Sequence, residues 1–148
     1  MKTLISLFLL LTFSTITAQS SIDYNTKKGA VAQGYDVVSY FEGKPTKGIE
    51  NLAVVYDNAK FLFASEAHLK AFKNSPKKYI PQYGGYCAYA IASGEKVRIN
   101  PETYEIRNGK LYLFYNAGKT NTLTLWAEEG ADRLAERADK YWESIKYK

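Results

Sequence analysis

The chain has 148 residues, 46% of them hydrophobic, with 13 Tyr, 7 Phe and 2 Trp, and a formal charge of +5 from 20 Lys+Arg against 15 Asp+Glu. Its single cysteine cannot close an internal disulfide, and together with its single histidine it cannot fill a closed four-ligand zinc site. The basic excess is spread over Lys27, Lys28, Lys73, Lys77, Lys78, Lys146 and Lys148, which reads as a solvated surface rather than a nucleic-acid footprint.

Residues 1–18 have the layout of a secretory signal peptide. Lys2 precedes an apolar run from Leu4 to Phe13, small or polar residues follow to Ala18, and the run is too short to span a membrane. The expected location is exported, periplasmic or extracellular, with no membrane anchor in the mature form. Residues 19–33 are polar and read as a tether. Residues 34–148 read as a single domain with a C-terminal helical extension.

Within that domain "YDVVSYF" (35–41) is β-branched and aromatic, as a strand would be. "LAVVYDNAKFLFA" (52–64) predicts two strands joined at Asp57 and Asn58, residues that tolerate tight-turn geometry. Ser65 can cap a helix carrying Leu69 and Phe72 on one face, and Ser75 with Pro76 starts a shorter one that Pro81 ends. Gly84 and Gly85 break the chain before "YCAYAIASG", a short helix closed by Gly94. "TYEIRNGKLYLFY" (103–115) predicts two strands around an Asn108-Gly109 type I′ turn. From Asn121 to Ile145 a long helical stretch sets Trp126, Leu134, Ala138 and Trp142 on one face, with a bend at Gly130. Strands and helices are segregated, so the fold class is α+β: a small antiparallel sheet built from hairpins, packed against several short helices and a long C-terminal helix.

The chemistry concentrates in "YGGYCAYA". If a helix opens at the two glycines, Cys87 lies in its first turn, where unpaired N–H groups favour a thiolate. Glycines also let another group approach the backbone closely. Equally, a free cysteine packs as a small hydrophobe, and Ala88, Ala90 and Ile91 suit that reading. Tyr79, Tyr83, Tyr86 and Tyr89 recur at helical spacing and would form one aromatic face beside the sulfur, or half-buried tyrosines with hydroxyls reaching outward. His68 is a surface or structural histidine, a metal ligand, or a base for Cys87 if the fold brings the two together. Asp36, Glu66 and Glu95 have no visible partner. No Gly-rich phosphate loop, serine elbow or HExxH motif is present.

"GYDVVSYFEGKPTKG", "FLFASEAHLKAFKNSPKKYIPQYGGYCAYAIASGEKV" and "NPETYEIRNGKLYLFYN" resemble exported YHS-domain proteins from about Gly34 to Asn116. Related YHS and TRASH modules are associated with copper and other heavy metals through cysteines, and the resemblance implies that those ligand positions fall here at Ser39, Ala64 and His68. Cys87 belongs instead to the "QYGGYCA" signature. The expected function is therefore a small exported binding or accessory domain. Its ligand site would be Tyr83, Gly84, Gly85, Tyr86 and Cys87, and Cys87 and His68 would contact a soft metal ion such as copper. The alternatives are a thiol-based redox protein or enzyme using Cys87, and a structural or interaction module with no small-molecule site.

Overall fold

The computed structural model describes residues 20–147. The expected signal peptide lies outside the described residues. No helix among them is long and apolar enough to cross a membrane.

The architecture is α+β. A mixed sheet of four strands runs in the order β1 (Thr26–Lys27), β2 (Ala30–Val31), β4 (Ala59–Phe63), β3 (Ile49–Tyr56). The two hairpins within it are antiparallel and are joined through one parallel pairing of Ala30 with Lys60. Asp57 and Asn58 close the β3–β4 hairpin at φ 50° and 60°, the left-handed pair a type I′ turn needs. Helices α1 (Glu66–Asn74) and α2 (Pro76–Tyr79) follow, α1 capped by Ser65, whose hydroxyl accepts the His68 N–H at 3.1 Å. After α3 (Ala88–Ile91), the hairpin β5 (Asn100–Arg107) and β6 (Lys110–Phe114) turns at Asn108-Gly109. A short ribbon, β7 (Asn116–Ala117) with β8 (Thr120–Asn121), leads into α4 (Thr122–Glu129) and α5 (Ala131–Ile145). Gly130, at φ 97° and ψ 93°, separates these as two helices rather than bending one.

Two apolar clusters hold the elements together. The first gathers Val31, Val37, Phe61, Phe63, Phe72 and Leu111 between the four-stranded sheet and its neighbours. The second puts Ala131, Leu134 and Ala138 of α5, spaced three and four apart, against Ile91, Phe114 and Trp126. Each fully buried large side chain contributes on the order of 2 kcal/mol of transfer free energy.

Two sequence expectations are corrected. Residues 35–41 do not form a strand: Tyr35 makes an isolated bridge to Lys47, and Ser39–Glu42 form a 3-10 turn. The Asp36 side chain accepts the Val38 N–H at 2.9 Å, and this local bond competes with strand pairing. Of the expected tether at 19–33, the described residues 20–33 do not run free, because β1 and β2 belong to the sheet and Tyr24, Ala30, Val31 and Ala32 are buried.

Gly48 shows how tightly the loop before β3 is laid on the sheet. A Cβ there would lie 2.4 Å from the Leu62 carbonyl carbon, a backbone atom with no freedom to retreat. Gly48→Ala is expected to cost about 1–3 kcal/mol of overpacking, measured by urea unfolding.

Candidate functional site

Tyr83, Gly84 and Gly85 all hold left-handed backbone, at φ 54°, 60° and 81°. The break expected at the glycines is therefore present, and what approaches it is the chain's own N-terminal segment. Asn25 donates its N–H to the Gly84 carbonyl at 2.9 Å and its side-chain amide to the Gly85 carbonyl at 3.0 Å. A Cβ on Gly84 would stand 2.7 Å from the Asp23 carbonyl oxygen and 3.1 Å from the Trp142 ring. Asp23 in turn accepts the Tyr86 hydroxyl at 3.1 Å and pairs with Lys96 at 2.8 Å. The Lys96 ammonium sits 5.7 Å from the Tyr86 ring centre and 5.9 Å from that of Trp142. Burial, then the Asp23 charge, push the Tyr86 hydroxyl up to about 12.

The four tyrosines do not share one face. Tyr79 packs edge-on against Phe41, Tyr83 and Tyr86 against Trp142, and Tyr89 reaches Glu129 with its hydroxyl at 2.7 Å. Tyr83 donates to Asp139 at 2.9 Å, and its pKa rises through burial and then that bond. Over Tyr83 and Gly84 a cleft of about 400 Å³ opens, walled by Tyr24, Ile80, Pro81 and Trp142 and rimmed by Lys110, Asp139 and Glu143.

Cys87 is 0% exposed, in the first apolar cluster. It precedes α3 as the capping residue, not as part of its first turn. Its sulfur is 3.2 Å from the Thr122 hydroxyl, and that hydroxyl gives its one proton to the Tyr115 carbonyl at 2.9 Å. The thiol is therefore the donor in a relay from sulfur to hydroxyl to carbonyl. Its backbone is committed too, with N–H to the Val97 carbonyl and carbonyl to the Ile91 N–H, both at 3.0 Å.

His68 is engaged elsewhere. Its Nδ1 is 2.6 Å from Asp36 Oδ2 and its Nε2 is 3.0 Å from Glu42 Oε1. A carboxylate only accepts, so a ring held between two of them donates from both nitrogens and is the imidazolium. In that form it offers no lone pair to a metal and cannot act as a base. Burial opposes the charge on the ring, but the hydrogen bonds and charges of Asp36 and then Glu42 outweigh it and hold the pKa above the usual histidine value. Asp36, fully buried, also accepts the Ala64 N–H at 2.9 Å, while the Ser39 hydroxyl donates to the Asp36 carbonyl at 2.6 Å.

Ser39, Ala64 and His68, the positions at which the resemblance implied metal ligands, thus meet in space around one residue, Asp36, with Ala64 and His68 at its carboxylate and Ser39 at its backbone carbonyl. Sequence reasoning left Asp36 without a partner, because 32 residues separate it from His68. The only local signal was an Asp that could bond the backbone two residues on. Cys87 and His68 each have other hydrogen-bond partners and do not bond one another. Among the described residues no group of three or more His, Cys, Asp or Glu side chains is arranged to hold a metal ion. The two acids at His68 sit on opposite ring nitrogens, so they diverge rather than converge on a common ion. The chain matches no protein-family model, no curated protein and no solved structure.

Two outcomes follow for these residues. In the native protein Cys87 is expected to resist a thiol reagent at pH 7–8 and to react with one equivalent only in denaturant; rapid labelling of folded protein would contradict the sealed relay. His68 has a raised pKa in the fold, so its stabilisation is complete below the unfolded value of roughly 6.5 and is lost as the pH rises through the higher folded value. Unfolding of native protein and His68→Gln should therefore differ by about 1–3 kcal/mol at low pH, with the gap narrowing on the alkaline side. A gap that does not change with pH would show that the ring is not held as a cation.

Proposed function

We propose that this protein is a small exported binding domain of the YHS type, and that its ligand is received by the cleft over Tyr83 and Gly84 rather than by the sulfur of Cys87. One observation carries the reading. Of the expected glycine-tyrosine stretch, Tyr83 and Gly84 line an open, aromatic-walled hollow, whereas Cys87 is sealed and hydrogen-bonded internally.

The lining suggests the ligand class. Tyr24, Pro81 and Trp142 offer apolar and π surface, while Asp139 and Glu143 of α5 and Lys110 of β6 supply the charged groups. Glu143 is tied to Lys146, and Asp139 keeps one oxygen beyond the one bonded to Tyr83. A small organic molecule with an apolar body and an ammonium group suits this arrangement, since aromatic faces and carboxylates both favour a cation. Exclusion of water from the hollow would strengthen those contacts.

Phenethylamine is a suitable probe, followed by amide NMR. Saturable shifts at Gln82 to Gly84 and along Asp139 to Glu143 are expected, weakened several-fold in Asp139→Asn and unchanged in Cys87→Ser. Shifts that map elsewhere, or none at millimolar probe, would refute the cleft. Stoichiometric copper(I) uptake that disappears in Cys87→Ser or His68→Ala would transfer the site to the metal reading.

A further inference from the structure

A second cavity, of about 350 Å³, lies on a different part of the molecule and shares no lining residue with the first. Three lysines rim it: Lys27 and Lys28 from the β1–β2 hairpin, and Lys47 from the loop before β3. Among the described residues none of the three forms an ion pair. The one acid in the lining, Glu50, pairs with Lys60 at 3.0 Å. Nearby Glu102 accepts the Tyr35 hydroxyl at 3.2 Å.

The backbone around this cavity is held in an uncommon conformation. Ala32, Gln33 and Gly34 are consecutive left-handed residues at φ 51°, 55° and 83°. For an alanine and a glutamine this is a strained conformation, which only surrounding structure can sustain. The turn fixes Gln33 so that its amide donates to the Ile99 carbonyl at 2.7 Å and its oxygen faces Lys27 at 3.5 Å. The close approach of Gly48 to Leu62 and its N–H bond to the Gly34 carbonyl at 2.9 Å bring the adjoining Lys47 to the site. The Lys47 ammonium stands 6.0 Å from the centre of the Tyr35 ring.

From these lysines and this backbone we infer that the cavity is an anion-binding site for a ligand carrying neighbouring phosphate or sulfate groups. Three ammonium groups without carboxylate partners, arranged around one hollow, supply the charge that two adjacent tetrahedral anions require. The shared chemistry has two sources, a soluble polyanion and the headgroups of an anionic lipid surface.

Pyrophosphate as the probe, at fixed ionic strength, tests the site by amide NMR, with phosphatidylglycerol vesicles as a second arm in a sedimentation assay. Lys28→Gln and Lys47→Gln are exposed-rim changes, and Lys77→Gln on α2 is the control. Saturable pyrophosphate shifts confined to Lys27–Tyr35 and Lys47–Glu50, weakened at least roughly tenfold by either rim variant and not by the control, would establish the site with a soluble ligand. Vesicle binding lost in the same two variants and kept in the control would establish it with a lipid headgroup. Pyrophosphate or vesicle binding that Lys47→Gln leaves intact, shifts spread over every lysine-bearing face, or no binding in either arm would overturn the inference.

Discussion

The chain reaches Cys87 through three successive left-handed residues, and the arrangement of both cores depends on that break. Tyr83 lies in the cluster beneath α5, whereas Cys87, four residues later, lies in the cluster beneath the sheet. A regular helix through this stretch would keep both on neighbouring turns of one face. The break instead turns the Gly84 and Gly85 carbonyls outward, where Asn25 takes them, and leaves a hydrogen-sized gap that Asp23 and Trp142 fill. Sheet, C-terminal helix and N-terminal segment are thereby locked at one point. Paired glycines in a sequence suggest a ligand's approach, but here the close neighbour belongs to the same chain.

A second constraint is electrostatic. Asp36 is fully buried, and an ionised carboxylate there is tolerable only because several donors converge on it: two backbone N–H groups and the His68 ring. Glu42 completes the pairing from the solvent side. The positions where the resemblance to metal-associated modules implied ligands have come together, yet what they surround is an ion pair. An imidazolium between two carboxylates performs the task of a cation at that spot. This charge balance stabilises the loop before β3 and the start of α1.

Two of the hollows on the surface are lined by groups of different charge. The cleft beside α5 combines aromatic walls with acidic groups, whereas the cavity at the β1–β2 hairpin is rimmed by ammonium groups. Neither depends on the thiol. A sulfur that donates into a hydroxyl–carbonyl relay at zero exposure is part of the packing, and its neighbours Thr122 and Leu113 come from distant elements that the relay and the bridge tie to α3.

The local elements were legible in the order of residues. The Asp57-Asn58 and Asn108-Gly109 turns, the Ser65 cap, the start at Pro76 and the interruption at Gly130 each follow from a residue's own backbone preference or from its bond to a group a few positions away. The α+β class followed from their order. The long-range arrangement came from packing. It paired Asp36 with His68, folded residues 22–33 onto the body, buried Cys87, and set Lys47 beside Lys27 and Lys28 in a cavity, although Lys47 lies about 20 residues along the chain from them. The reason is physical: backbone preference acts over a turn or two, whereas burial and charge pairing depend on which distant segments the packed cores bring face to face.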